Sequence, residues 1–377
     1  MVSFRRLRVA IPISIVFYFL ANETSNRYGI SSSDSETEKS NNTTLHTTNN
    51  NTITYITIDK KNINLPSAKS LLDTKQYPPP YEEVDIYRLS SNLTKSKSTI
   101  VTAYFKLNSK HAEFQYTQWM QNFLSINDNM VIFTSNELLP QIIQFRSHAL
   151  DRTVIILMNV NDLPLGTIFP NELWIDQFNR DTEKDRHKDY RLFWIWLNKI
   201  WHIQQSIEHN FFDSEIYMWS DIGCFRDGSY NSKTIIQHDE LIPRDEILMQ
   251  SFKIRRNEGD PFVPQPPKKV NFFDNKKNYM NNFYHAGSMM AGYKDTWQRY
   301  WELFLEMVDT FLQHQMLLCD DQVILQSVCM TNPEVCAYAL ATEVYPKDKR
   351  YHILRYVLHH GGEYNFWRKE TNKTVDS

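Results

Sequence analysis

Four short stretches carry the residue types from which a polar reaction centre is built. EIYMWSDIGCFRD (215–227) is an apolar run that ends in Asp221. A carboxylate at the tip of a central strand stands at the ligand edge of an α/β sheet and can hold a divalent cation through hard oxygen atoms; an isolated Asp there can equally cap a turn. NNFYHAGSMMAG (281–292) puts Gly287 inside an apolar run, flanked by His285 and Ser288. A glycine within a strand marks a bulge or a close approach of backbone to ligand. CDDQVILQ (319–326) places Asp320, Asp321 and Gln322 at the start of an apolar helical run. Capping needs only one of the two aspartates, which leaves the other for a different task. YVLHHGGEYNFW (356–367) reads as an apolar run followed by His359 and His360. Strand alternation would turn only one of them toward a site, where an imidazole suits Mn²⁺ or a similar ion.

These loops need a scaffold. TIVTAYF (99–105), MVIFT (130–134), TVIIL (153–157) and EIYMW (215–219) read as buried strands. Tyr116, Trp119, Met120 and Phe123 recur at helical spacing, as do Tyr190, Phe193, Trp194, Leu197 and Trp201 on a second helix. Trp297, Trp301, Phe304, Val308 and Phe311 form a third stripe. Strands alternating with helices predict an α/β fold, with a mixed, mostly parallel sheet flanked by helices and ligands beyond the carboxyl ends of the strands. The tryptophan stripes are core. Thr102 and Tyr104 end the first strand, at the ligand edge of the sheet. Lys199 lies on the long aromatic helix before the Asp221 strand. It is either a surface lysine or a cation within reach of the site carboxylates, with Arg191 a second candidate for that role.

Glycine is scarce: 9 of 377 residues. The chain contains no GxGxxG, GxxxxGK[ST], GxSxG or HExxH. That argues against a standard dinucleotide fold, P-loop phosphoryl transfer and standard serine-hydrolase or zincin chemistry. The formal charge of -3 supplies no basic field, so nucleic acid is not an expected partner. Cys224, Cys319, Cys329 and Cys336 permit two disulfides or four buried thiols, and their spacing makes no zinc module.

Residues 1–8 (MVSFRRLR) read as a cytoplasmic basic tail, and the uncharged run 9–21 as a signal anchor or a signal peptide. Residues 22–97 are rich in Ser, Thr and Asn, with sequons at Asn22, Asn41, Asn42, Asn50 and Asn92. They read as a disordered, glycosylated stem. The globular body is expected over 98–370, with a tail over 371–377. This organisation predicts a Golgi membrane protein with a lumenal body, or alternatively a secreted protein.

Taken in order, Asp221-Ile222-Gly223, His285-Ala286-Gly287, Asp321-Gln322 with Leu325, and His359 with Gly362 and Trp367 resemble the motifs of the GT-A glycosyltransferases. The likeness is to the glycogenin-like branch, with its strand-end D-x-D, N-A-G strand, D-Q-x-x-L and H-x-x-G-x-x-x-x-W. More closely, the 98–370 body resembles the HtrL/YibB family through SDIGCFR, through Lys199 with its aromatic neighbours, and through YHAGSMMAG. The resemblance implies a GT-A-like fold, a nucleotide-diphosphate-sugar donor and a glycan or glycoprotein hydroxyl as acceptor. It also implies a Mn²⁺ or Mg²⁺ ion held by Asp221 and His359. On this reading Thr102, Tyr104, Arg191, Lys199, Asp221 and Gly223 serve the donor. His285, Gly287, Ser288 and Gln322 line the sugar and acceptor pocket, and Asp321 and Asp320 are the catalytic carboxylates. Two departures stand out. Gly223 replaces the second Asp of D-x-D, and Asn365-Phe366 stand where the glycogenin-like enzymes place Lys-Pro. They keep open a catalytically inactive nucleotide-sugar or glycan-binding protein on the same fold.

Overall fold

The structure is a computed structural model that describes residues 66–74, 86–108, 111–252, 284–341, 352–361 and 366–367. β-branched and aromatic runs form its strands, as their packing on a pleated surface favours. They are β1 (Ile86–Arg88), β2 (Ser98–Tyr104), β3 (Met130–Thr134), β4 (Thr153–Leu157) and β5 (Ile216–Ser220), followed by β6 (Ile247–Phe252), β7 (Tyr284–Tyr293), β8 (Cys336–Ala341) and β9 (Phe366–Trp367). They make one sheet in the order β1-β4-β3-β2-β5-β7-β6-β8-β9. β2, β3, β4, β5, β6 and β8 run one way, and β1, β7 and β9 run against them. The expected mixed, mostly parallel α/β sheet is what forms.

Alternation along each strand divides the core in two. Val131, Phe133, Tyr217 and Trp219 join an aromatic core on one face. Met130, Ile132, Ile216 and Met218 join a more aliphatic core on the other. The helix Lys294–Gln313 lays Trp297, Tyr300, Phe304, Val308 and Phe311 into the aromatic core at three- and four-residue spacing. Trp297 Nε1 donates to Tyr217 O at 2.9 Å.

Three expectations need correction. The stripe from Tyr190 to Trp201 is two helices, Arg191–Leu197 and Lys199–His209, separated at Asn198. That side chain is fully buried; it donates to Trp194 O and accepts from Leu165 N. The run before His359 is the helix Ile353–His360, not a strand, and it ends at Gly361 with φ +62°. A positive φ is what glycine supplies after a helix. Finally, part of the presumed stem is built into the body. The helix Ala68–Thr74 docks on Lys294–Gln313 through Ala68 N to Asp309 Oδ1 (2.7 Å) and the ion pair Lys69–Glu302. β1 pairs antiparallel with β4.

The expected tail and anchor at 1–21, and the stem as far as residue 65, lie outside the described residues. Among the described residues no helix is long and apolar enough to cross a membrane. Cys329 and Cys336 form a disulfide, while Cys224 and Cys319 are buried free thiols.

Candidate functional site

β5 ends at Ser220, and Asp221 follows at the carboxyl edge of the sheet. Its backbone N donates to Ser288 O at 2.8 Å, which ties the turn to β7. Its Oδ1 accepts from Trp219 Nε1 at 2.7 Å. The break at Asn198 starts a new helix with Lys199, which is only 3% exposed. Lys199 Nζ lies 2.9 Å from Asp221 Oδ1 and 2.8 Å from Asp321 Oδ2, and it donates to Gly287 O at 3.0 Å. Burying an ammonium costs several kcal/mol unless charge and hydrogen bonds offset it. Here burial pulls the Lys199 pKa down, and Asp221 and Asp321 more than reverse it, so the ammonium stays charged.

Gly287 makes this convergence possible. A Cβ there would stand 2.7 Å from Asp321 Oδ2, 3.0 Å from Leu325 Cδ1 and 3.3 Å from Gln322 Cγ. Only a residue without a side chain lets the helix Asp321–Thr331 press its first turn against β7. The two aspartates divide their work as the capping argument anticipates. Asp320 caps the helix, its Oδ1 accepting from Gln322 N at 3.0 Å, which frees Asp321 for Lys199. Burial, reinforced by the charge on Asp321, pushes the Asp320 carboxyl up to about 7.

Around this centre, His285 is buried against the Tyr338 ring (4.8 Å), and burial holds its pKa down to about 3, so it is neutral. Ser288 Oγ accepts from Gln250 Nε2 at 2.6 Å. Thr102 is fully buried, and burial raises the Tyr104 phenol to about 12. From Tyr104 a row of rings leads toward Gly223: Tyr104 to Tyr116 is 5.8 Å, and Tyr116 to Trp119 is 5.4 Å. A Cβ on Gly223 would lie 3.5 Å from Trp119 Cε3. Arg226 folds back over that indole at 4.6 Å, with Nε 3.4 Å from Gly223 O.

Arg191 is engaged elsewhere, and His359 is oriented by a backbone carbonyl. Arg191 gives its guanidinium to Asp189 (2.6 Å) and Asn161 (3.4 Å). His359 Nδ1 lies 2.7 Å from Thr234 O, and its ring packs on Tyr230 at 5.4 Å. No hydrogen bond or ion pair joins His359 to Asp221. Among the described residues, no three or more His, Cys, Asp or Glu side chains are gathered for a metal. Position 223 has no side chain, His359 would offer an ion its Nε2 because Nδ1 donates to Thr234 O, and the Lys199 ammonium lies between Asp221 and Asp321. Gly362 and Asn365 lie outside the described residues.

Several contributors escaped sequence reading. Trp219 was detectable, because it stands two residues before Asp221 on the same strand face. Gln250 carried no local signal, since β6 meets Ser288 only through sheet pairing. Trp119 read as core, and Arg226 as an ordinary residue of the SDIGCFR run.

No curated protein matches this chain. Among solved structures, mouse xyloside xylosyltransferase 1 in its apo form is similar at 11% identity and a TM-score of 0.37; the match covers 74% of this chain and 99% of that one. The family model described as "Bacterial protein of unknown function (HtrL_YibB)" matches residues 96–339, and the chain belongs to the HtrL_YibB family.

Proposed function

We propose that this protein is a glycosyltransferase that moves a sugar from a nucleotide-diphosphate sugar to a hydroxyl of a glycan or glycoprotein. The observation that carries the reading is the convergence of Asp221, Lys199, Gly287, Asp321 and Asp320 at the carboxyl edge of the sheet, between β5 and β7. That edge is where open α/β sheets bind ligands. The acceptor oxygen bonds to the anomeric carbon. The bond from that carbon to the β-phosphate oxygen breaks, and its electron pair leaves with the diphosphate. The hydroxyl proton passes to Asp320, whose pKa of about 7 suits a general base at neutral pH. Asp321 is held by Lys199 and positions the helix turn that presents Asp320. His285 and Ser288 shape the sugar side from β7. The uncharged run 9–21 and the clustered sequons support delivery of the body to the lumen of the secretory pathway.

The test is product analysis of the purified chain with a panel of nucleotide sugars and hydroxyl acceptors. Formation of a glycoside that is lost in Asp320→Asn supports the reading. Release of free sugar alone, with a competent acceptor present, would replace it by a hydrolase. Donor binding without any turnover would leave a binding protein on this fold.

A further inference from the structure

The charge of the Lys199 ammonium serves two protein carboxylates. It donates to Asp221 and Gly287 O and ion-pairs with Asp321, so its charge is balanced within the protein. A leaving diphosphate still needs positive charge beside it. The turn that follows Asp221 carries a guanidinium of its own, Arg226. It is exposed, no carboxylate pairs with it among the described residues, and it rests on the Trp119 face. The neighbouring Asp227 instead faces Arg355 at 3.8 Å.

Gly223 and Trp119 explain the placement. The position that would carry a second acidic side chain has none, and the Trp119 ring fills the adjoining space at ordinary contact distance. The same indole supports the guanidinium from beneath, a cation–π arrangement that orients its fork without using its outer N–H groups. A guanidinium binds phosphate oxygens bidentately, and aromatic faces stack any base. The row Trp119, Tyr116, Tyr104 runs from that guanidinium to the end of β2.

We propose that Arg226 on Trp119 binds the diphosphate of a nucleoside diphosphate without a metal ion, and that the adjoining rings back to Tyr104 hold the base. This rests on the glycosyl-transfer reading above and names how its donor is held. Charge formally assigned to a divalent ion is divided in two: Lys199 neutralises the protein carboxylates, and Arg226 neutralises the ligand.

The experiment is calorimetric titration of the full chain with UDP and GDP, and with uridine and guanosine, in EDTA and then in Mn²⁺. One diphosphate is expected to bind equally well in both buffers. Arg226→Ala should weaken it at least about tenfold, as loss of a charged hydrogen-bond pair does. It should leave the matching nucleoside unchanged, and Arg226→Lys should restore part of the loss. Because Arg226 is exposed, both variants should keep the wild-type melting temperature. Binding that requires Mn²⁺, or that ignores Arg226→Ala, overturns the proposal while glycosyl transfer stands. Wild-type protein that binds no nucleoside diphosphate overturns both.

Discussion

Lys199 Nζ stands 2.8 Å from Asp321 Oδ2, with the two side chains 4% and 5% exposed. The first residue of one helix is thereby clamped to the first residue of another, 122 positions later in sequence (321 minus 199). The pair, together with Asp221, holds the carboxyl edge of the sheet in register.

Removing the ammonium strands two carboxylates close together. Lys199→Met is expected to destabilise the protein by about 3–5 kcal/mol, the cost of a broken buried pair. Adding Asp321→Asn should recover part of that loss, because it removes one of the uncompensated charges. Urea unfolding of the two single variants and the double variant measures the coupling.

Two glycines of the site should respond oppositely. Gly287→Ala forces a methyl to 2.7 Å from Asp321 Oδ2 and 3.0 Å from Leu325 Cδ1. It should cost about 1–3 kcal/mol, as overpacking does, and should disturb the Lys199 clamp. Gly223→Ala meets Trp119 only at 3.5 Å and should stay within about 0.5 kcal/mol of wild type. Denaturation midpoints compare them directly.

Acid should unfold this protein through its buried histidines. Burial holds His202, His285 and His352 down to about 3, whereas an unfolded imidazole protonates near 6.5. Between those values the unfolded chain binds more protons, so stability is lost as pH falls from about 6.5 toward 3. Each fully buried ring contributes on the order of 5 kcal/mol across the window. His202→Leu should move the acid-unfolding midpoint to lower pH, read by circular dichroism.

The Asp320 carboxyl should set the alkaline-rising limb of activity. With its pKa pushed up to about 7, turnover is expected to rise as pH increases through that value and the base loses its proton. Asp320→Asn should abolish that limb and lower kcat far more than KM. An unchanged pH profile in the variant would assign the proton to another group.

Much of the scaffold was legible. β3 and β4 lie where MVIFT and TVIIL read as strands, because short β-branched runs admit few other conformations. The division of labour between Asp320 and Asp321 was also readable, since one cap suffices for one helix. The helix before His359 was not. Its apolar pairs Ile353/Val357 and Leu354/Leu358 have helical spacing, but a window beginning at Tyr356 holds too few of them to show the period. The helix Ala68–Thr74 and β1 were hidden for a different reason. They are short and flanked by polar residues, and they are held by partners far along the chain, Asp309 and β4.

The sequence by itself determined which segments become strands and helices and which carboxylates reach the edge of the sheet, because those follow from local periodicity and capping. Only the tertiary structure decided which charges meet. Lys199 is a surface lysine or a buried cation on equal sequence grounds. It becomes the second because Asn198 breaks the helix beside it and Gly287 lets Asp321 approach. His359 matched a motif by spacing, but its partner, Thr234 O, comes from a distant segment that only the fold brings near. Long-range packing sets these pairings, and no local pattern encodes the distance between residues that the sheet alone brings together.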